Sequence, residues 1–380
     1  MRIKLFAILS ILLYVSSLAK AQEYEALSDG RDTIYYNYVP MSEAVKPRKP
    51  QVDFTVVPLY TPATSLAVGV GVQSVYTTKN SDKSHISASL MASIRGMYSV
   101  GVSNVNPFQG GKHTLSVSAS ASSMPTKFWG VGYNAAIVNS AVLYTKQHYS
   151  AQVEYLYRVV KNLYLGPCVE FDYVGCGKKF DAVAPLLPSE AQSEVIATTI
   201  SAIIKYDTRN SKQNPQKGIY LSLRPYIRPA IASNTNNSSF GVEGSVSGYQ
   251  KLWKGATLAG EIYTLLGSKY TPWQLYARIG DSHRMRGYYE GQFTDRNMVT
   301  LQAELRQNIW RGIGIAAWGG AGNCFSSFDE FKWQHTLPTY GLGLRWAAFE
   351  NVLLRFDYGF GAKVNGKVIH GPLFSVGSAF

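Results

Sequence analysis

Hydrophobic and polar residues alternate at every second position in run after run of this chain. In 66–73, Leu, Val, Val and Val alternate with Ala, Gly, Gly and Gln, and 152–159, 299–306 and 352–360 repeat the pattern. Side chains on a strand point alternately to its two faces, so this periodicity predicts β-strands with one apolar face. Turn-forming residues separate the runs. The chain is therefore predicted to be all-β from about residue 53 onward.

Sixteen strands are predicted. The longest connections, 124–144, 177–192, 269–296 and 326–335, each join an odd-numbered strand to the next one, so they share one end of the sheet. An even strand count with long connections at one end and short turns at the other is typical of a transmembrane β-barrel. The predicted limits are 53–62, 64–78, 84–96, 97–107, 111–123, 145–159, 162–176, 193–207, 217–230, 237–252, 255–268, 297–309, 312–325, 336–348, 351–362 and 371–380.

Alternation alone does not separate a membrane barrel from a soluble sandwich. The chain contains 34 Gly, 26 Tyr and 16 Phe but only 16% charged residues, and after residue 21 it has no apolar segment long enough for a membrane helix. Short turns and terminal aromatics favour a sixteen-stranded antiparallel β-barrel of the outer membrane. On one predicted strand Leu354 then faces lipid and Gly359 the interior, so a charge is expected to be costly at 354 and serine to be tolerated at 359.

The first residues have the composition of a secretory signal peptide. Two basic residues precede an apolar stretch from Leu5 to Leu18 and the cleavage pattern Ala19-Lys20-Ala21. We therefore expect residues 1–21 to be removed during export to a Gram-negative type of outer membrane. Residues 22–52 carry little patterning and are expected to form a periplasmic tail or short plug, and 53–380 the barrel.

The chain has a formal net charge of +13, and removal of the three cations within residues 1–21 leaves +10. No basic run or aromatic-basic motif indicates nucleic acid. Outer-membrane lipid, including the phosphates of lipopolysaccharide, is the expected partner of this charge. An odd number of cysteines (Cys168, Cys176 and Cys324) without zinc-type partners favours free thiols, with a Cys168–Cys176 bridge as the alternative.

The longest predicted loop and the strand after it carry a distinctive set of residues. The loop holds the tripeptide Arg286-Gly287-Tyr288 and then Asp295, and the strand places Glu304 and Arg306 on its interior parity. Long loops between short strands usually have a function.

Two further segments have motif character. The turn before the ninth predicted strand carries Asp207, Arg209, Pro215 and Gly218 at fixed spacing. The chain ends on an alternating aromatic pattern that includes Phe374, Val376 and Phe380. Any hairpin would use Asn, Pro and Gly in this way, and any last strand can end in Phe, so both segments also have an ordinary structural reading.

In combination and order, these motifs resemble the BamA/TamA superfamily of outer-membrane barrels, of the bacterial surface antigen type. The resemblance covers the chain after about Asp53. It implies that the tripeptide is the tip of a sixth extracellular loop that folds into the barrel, where Glu304 holds Arg286, with Asp295 and Arg306 in support. It also implies a periplasmic turn at Asp207–Gly218 and a C-terminal signal for membrane insertion.

Two departures from the family pattern qualify the resemblance. Gly320 stands where relatives usually carry an Asp that also braces the loop arginine, so Glu304 is expected to be the single acidic partner of Arg286. The residues before the barrel are too few for a periplasmic polypeptide-transport (POTRA) domain, so the chain is expected to be a barrel alone.

The resemblance implies a non-enzymatic factor that inserts or exports polypeptides at the outer membrane. Nascent outer-membrane proteins or a separate periplasmic protein would be its partners. The alternative is a passive pore or structural barrel that handles no polypeptide. The sequence has no nucleophile elbow, phosphate-binding loop or zinc motif, and no cofactor or metal is expected.

Overall fold

The structure is a computed structural model that describes residues 51–61, 65–77, 84–177, 180–188, 191–211, 214–310, 312–349, 352–376 and 379–380. The predicted signal peptide lies outside the described residues. So does the predicted tail as far as residue 50, while the first strand begins at Gln51.

Sixteen of the strands described form one closed antiparallel barrel. Neighbours in the barrel are neighbours in sequence, with two exceptions. Strand β1 pairs with β18 where the barrel closes, and β11 pairs with β14 across a loop that contains the two-residue strands β12 and β13. The strands are β1 Gln51–Thr61, β2 Ser65–Tyr76, β3 Ser84–Ser93, β4 Tyr98–Phe108, β5 His113–Phe128, β6 Val142–Val160, β7 Leu163–Gly175, β8 Glu194–Asp207, β9 Gly218–Arg228, β10 Ser239–Lys251, β11 Ala256–Gly267, β12 Ala277–Arg278, β13 Thr294–Asp295, β14 Asn297–Trp310, β15 Ile313–Phe325, β16 Leu337–Phe349, β17 Val352–Val364 and β18 Lys367–Val376.

The sequence periodicity corresponds to the two faces of the barrel wall. On β14, Leu301 is 56% exposed on the outer face, whereas Glu304 is 1% exposed in the interior. The outer wall is apolar and the interior carries the polar and charged side chains, which is the arrangement typical of a transmembrane barrel. The predicted all-β barrel and its strand parity are confirmed.

The two ends of the barrel differ. One end, here the loop end, carries the connections 129–141, 176–193, 268–296 and 326–336. Among the residues that the structure describes, this end also holds the short helices α1 (Tyr133–Val138) and α2 (Phe180–Val183) and five single-turn 3₁₀ segments. The opposite end, the turn end, carries short connections. Within the described residues, no helix is long and apolar enough to cross a membrane.

The last strand differs from its predicted limits of 371–380. Asn365 and Gly366 have φ angles of 49° and 80° and form a tight two-residue turn, so β18 begins directly after it at Lys367. Asn-Gly is the preferred pair for such turns because both positions need a positive φ. Since the strand begins four residues earlier than predicted, it also ends earlier, at Val376, and Phe380 lies beyond it.

The barrel closes at a short seam between its first and last strands. Strand β1 pairs with β2 along all 11 of its residues. In the described residues, β1 pairs with β18 at one position, Tyr60 opposite Phe374. The seam is therefore much less extensively hydrogen-bonded than its neighbouring strand pairs.

Candidate functional site: the loop inside the barrel

The connection between β11 and β14 turns back into the barrel instead of projecting from it. We call residues 268–296 the lumenal loop. The β12–β13 hairpin forms its neck, where Ala277 pairs with Asp295 and Arg278 with Thr294. At its tip, Met285 and Gly287 have φ angles of 52° and 106°. Only glycine adopts the second of these without strain, which explains Gly287 in the tripeptide.

Two glycines of the wall receive the tip. A Cβ added at Gly359 of β17 would lie 2.7 Å from the carbonyl carbon and oxygen of Arg286. A Cβ added at Gly361 would lie 2.5 Å from the ring of Tyr288. The Tyr288 hydroxyl donates to the Pro338 carbonyl at 2.6 Å and accepts from the Ala362 amide at 2.6 Å. The tip is thus fixed to β16 and β17.

Arg286 is fully buried inside the barrel. Its Nη1 atom is 2.7 Å from Glu304 Oε2 and 3.0 Å from Asp357 Oδ2. Its guanidinium carbon is 3.8 Å from the centroid of the Trp318 ring, and its backbone carbonyl accepts a hydrogen bond from Thr339 at 2.7 Å. Buried charges require partners of this kind, because water is not there to solvate them.

The expectation that Glu304 is the single acidic partner of Arg286 is wrong. Asp357, on β17, supplies a second carboxylate, although Gly320 occupies the usual position on β15. The two positions are two strands apart in the barrel, which a comparison along β15 alone could not detect. A sequence signal was present, since Asp357 is an acidic residue on the interior parity of its strand.

Three further arginines join these carboxylates. Arg345 bridges them, with Nη2 3.0 Å from Glu304 and Nη1 2.5 Å from Asp357. Arg306 donates through Nε to Glu304 Oε1 at 2.7 Å, and Arg355 Nη1 is 3.5 Å from Asp357. We call this set the arginine network; its members are Arg286, Glu304, Arg306, Arg345, Arg355 and Asp357. Four cations share two carboxylates, so loss of either carboxylate would leave four buried guanidinium groups with a single carboxylate among them.

Asp295, predicted to support the tip, lies in the neck of the lumenal loop. It is buried, pairs in the β12–β13 hairpin, and accepts a hydrogen bond from the Arg296 amide at 2.7 Å. The structure therefore brings Arg286, Glu304 and Arg306 into one network and places Asp295 outside it.

The connection 129–141 covers the lumenal loop at the loop end of the barrel. Trp129 contacts Tyr289, with ring centroids 5.4 Å apart, and Tyr133 contacts Phe293 at 5.7 Å. The Gly132 amide donates to the Thr294 carbonyl at 2.8 Å. The loop end is thereby capped by an aromatic cluster over the lumenal loop.

The predicted turn motif occupies the connection between β8 and β9. Asp207 and Arg209 form an ion pair at 3.0 Å, and the Arg209 guanidinium lies 4.3 Å from the centroid of the Tyr220 ring. Gly218 has a φ of 109°, and a Cβ there would lie 2.4 Å from the Thr208 carbonyl oxygen. Pro215 is buried. These contacts make the segment a well-fixed turn at the turn end.

The three predicted C-terminal signal residues occupy different environments. The Phe374 ring packs against the Phe356 ring on the outer wall with centroids 4.3 Å apart, and the backbone of Val376 pairs with Leu354. Phe380 is buried inside the barrel against Tyr249, and its ring is 5.5 Å from the Arg306 guanidinium. The prediction that Phe380 continues the last strand is wrong, because β18 ends at Val376.

The described residues contain neither a metal-binding cluster nor a disulfide. No group of three or more His, Cys, Asp or Glu in the described ranges could hold a metal ion. Cys168, Cys176 and Cys324 are free and buried, as the cysteine count favoured.

A closed antiparallel barrel with an inward-folded loop, an Arg-Gly-Tyr tip and a short seam defines a class of outer-membrane β-barrel. Residues 62–380 match the Omp85 superfamily domain, and the chain belongs to that superfamily. BamA and the related barrels to which the sequence motifs pointed are of this type.

Several solved structures have a similar fold. BamA from Haemophilus ducreyi lacking POTRA domains 1–3 aligns with a TM-score of 0.58 at 13% identity, over 98% of this chain and 78% of that one. CdiB from Escherichia coli aligns with a TM-score of 0.58 at 11% identity, over 95% and 68%. CdiB from Acinetobacter baumannii aligns with a TM-score of 0.55 at 12% identity, over 86% and 60%. At such identities the likeness shows the fold alone. A comparison with curated proteins finds no match.

Proposed function

We propose that this barrel is a non-enzymatic factor that inserts or exports polypeptides at the outer membrane, and that it acts through the seam between β1 and β18. The observation that carries the proposal is the contrast between the single paired position at the seam and the fully paired β1–β2 ladder. In a bilayer an unpaired strand edge exposes amides and carbonyls to a medium without water. Such an edge is costly to keep and offers a template for the strand of another polypeptide.

The lumenal loop has a defined role in this proposal. Its tip is fixed to β16 and β17, which are the two strands preceding the seam strand β18. We propose that Arg286, Gly287, Tyr288 and Glu304 hold this side of the barrel rigid while the seam separates. Asp357 and Arg345 take part in the same role, because Asp357 binds Arg286 and Arg345 binds Glu304.

A passive pore is less well supported. The lumenal loop occupies the barrel interior with Arg286 and Tyr288 fully buried, and the aromatic cluster covers it at the loop end. A channel for solutes would need the lumenal loop to leave the interior, which would separate the buried charges of the arginine network.

The export route and partners belong to the same proposal. Membership in the superfamily supports an outer-membrane location, and we propose that residues 1–21 act as a cleaved signal peptide and residues 22–52 as a periplasmic tail. Similarity to BamA and CdiB barrels supports polypeptide clients and periplasmic partners. The outer wall supports contact with membrane lipid.

A reversible lock of the seam tests the proposal. Tyr60 and Phe374 are paired across the seam, so Tyr60→Cys with Phe374→Cys allows a disulfide there. Val56→Cys with Val70→Cys is the matched control, because it crosslinks the fully paired β1–β2 ladder on the same outer face. The readout is the assembly of a small outer-membrane barrel protein into vesicles that contain the variant.

Oxidation should abolish assembly in the seam variant, reduction should restore it, and the control should be unaffected by either. A photocrosslinker at Phe54, an exposed position on β1, should also capture nascent outer-membrane proteins in cells. Single-channel currents with no captured polypeptide, and equal behaviour of the two locked variants, would instead establish a pore.

A further inference from the structure

The connection between β15 and β16 crosses the rim of the barrel and covers part of its outer face. We call residues 326–336 the rim loop. On β15, Gly322 and Cys324 face inward, where both approach Met285 of the lumenal loop. Asn323 and Phe325 alternate with them and therefore face outward.

The rim loop is tied to these outward side chains. Asn323 Nδ2 donates to the Lys332 carbonyl at 2.9 Å and to Thr336 Oγ1 at 3.1 Å. The loop therefore lies against the outside of the wall at the level of Asn323. As a result, Asn323 and Phe325 are buried although they point away from the barrel interior.

Aromatic rings form the outer part of the rim loop. The Phe325 ring is 5.4 Å from the Phe328 ring and 5.3 Å from the Phe331 ring, and Phe331 is 5.0 Å from Trp333. Phe328 and Trp333 complete the cluster on its outer side, where they are 70% and 81% exposed. Two large aromatic side chains this exposed are unfavourable in water.

The apolar wall continues directly below these rings. Leu342 and Leu344 on β16 are exposed on the same outer face, and Trp310 and Trp346 are exposed toward the turn end. Strand β15 has 13 residues. At about 3.3 Å per residue and a tilt of about 40°, a strand of this length spans about 30 Å along the membrane normal, against an apolar band of about 25 Å. The Phe325 end of β15 therefore falls in the interfacial layer.

We propose that Phe328 and Trp333 insert into the interface of the outer leaflet, so that the rim loop anchors this sector of the barrel to the membrane. Aromatic side chains are favoured at this depth because an apolar ring and a hydrated backbone are both accommodated. The exposed charges of Asp329, Glu330 and Lys332 lie within the same loop, where headgroups and water can solvate them.

The anchor has a structural connection to the cap over the lumenal loop. His335, at the inner end of the rim loop, stacks on Tyr133 with ring centroids 4.2 Å apart and an interplanar angle of 5°. Tyr133 in turn packs on Phe293 of the lumenal loop. The rim loop thus joins the membrane interface outside the barrel to the aromatic cluster inside it.

Depth-dependent quenching in phosphatidylcholine nanodiscs tests the anchor. Trp333→Cys carries an environment-sensitive fluorophore, with Leu342→Cys as the lipid-facing control and Asn236→Cys, exposed in the connection 229–238, as the aqueous control. Wild-type protein gives the labelling background, because its three cysteines are buried. The quenchers are nitroxide lipids labelled near the headgroup or near the chain end, and aqueous iodide.

The Trp333 label should be quenched at least about twofold more by the headgroup nitroxide than by iodide, as expected for an interfacial ring. Leu342 should respond more to the chain-end nitroxide and Asn236 to iodide. If the Trp333 label behaves like Asn236, the anchor does not exist and the aromatic cluster awaits a protein partner instead. Intrinsic fluorescence of the wild type against Trp333→Phe repeats the comparison without a cysteine, so a folding defect of one variant leaves the test intact.

Discussion

Gly287 and Gly359 meet backbone to backbone where the tip of the lumenal loop touches the barrel wall. A Cβ added at either residue would lie 2.7 Å from backbone atoms at the contact. Real Cβ atoms do not approach this closely, so neither position accepts a side chain without displacement of the loop. The contact brings Arg286 to its carboxylates, and the network depends on the absence of two side chains.

Gly359→Ala should therefore displace the lumenal loop, although the sequence alone predicted that even serine would be tolerated there. Overpacking a close contact costs about 1–3 kcal/mol. We expect faster cleavage of the loop by protease added to intact cells, and a lower temperature at which the barrel loses its compact electrophoretic form.

Gly319→Ala is the matched control for this prediction. Gly319 lies on the outer face of β15, and a Cβ there would meet nothing within 4 Å. It should leave protease resistance and the transition temperature unchanged. Identical behaviour of Gly359→Ala and Gly319→Ala would mean that the loop does not occupy the wall at Gly359.

The two carboxylates of the arginine network should be coupled to Arg286. Glu304→Gln and Asp357→Asn each keep the shape of the side chain and remove its charge, so each leaves buried guanidinium groups uncompensated. Breaking a buried pair in this way costs about 3–5 kcal/mol when the site is dry. Asp329→Asn, at an exposed position of the rim loop, is the control and should change the free energy of unfolding little.

A double-mutant cycle between Arg286→Ala and Asp357→Asn measures the coupling. In the Asp357→Asn background, Arg286 loses an attractive partner and remains beside Arg345 and Arg355. Its removal should therefore cost less there than in the wild type, by about 1 kcal/mol or more. Strict additivity of the two changes in chemical unfolding would mean that Arg286 and Asp357 do not interact.

The sequence predicted the fold well for a physical reason. A barrel strand with one apolar outer face shows an apolar residue at every second position, so the alternating runs predicted both the number of strands and the face to which each residue points. The arginine network was only partly predictable from the sequence. Asp357 and Glu304 are 53 residues apart in sequence, and their convergence on Arg286 depends on how far the loop tip reaches around the barrel. The position of the loop tip is set by contacts such as that of Tyr288 with Pro338, and such contacts leave no periodic pattern in the sequence.

The cost of a charge on the outer wall should depend on depth. Leu342 is the sixth residue of β16 and is 69% exposed to the lipid side, whereas Leu354 is the third residue of β17 and lies near the turn end. An arginine near the bilayer midplane costs about 2–4 kcal/mol and one near the interface about 0–1 kcal/mol. Leu342→Arg should therefore destabilise the barrel in vesicles much more than Leu354→Arg. A reversed order in urea unfolding would contradict the depth assignment of these strands.

Phe380 has two candidate roles, in an insertion signal and in the packing of the barrel interior, and replacing the residue distinguishes them. As part of an insertion signal, Phe380→Ala would reduce the amount of barrel that reaches the membrane in cells and leave the refolded protein unchanged. In the structure the ring instead packs inside the barrel on Tyr249 and beside Arg306, which also holds Glu304. Loss of a buried phenyl ring costs up to about 3–5 kcal/mol, so the purified and refolded variant should itself unfold at a lower urea concentration.

Phe380→Leu should recover most of this loss, since it restores apolar contact with Tyr249 but not the cation–π contact. Phe374→Ala is the control, because it removes an aromatic ring that packs on Phe356 on the outer wall. Comparing the two variants separates a general effect of losing an aromatic ring from an effect specific to the interior. If refolded Phe380→Ala is as stable as wild type and only its delivery to the membrane is impaired, the interior packing contributes nothing and the signal role stands.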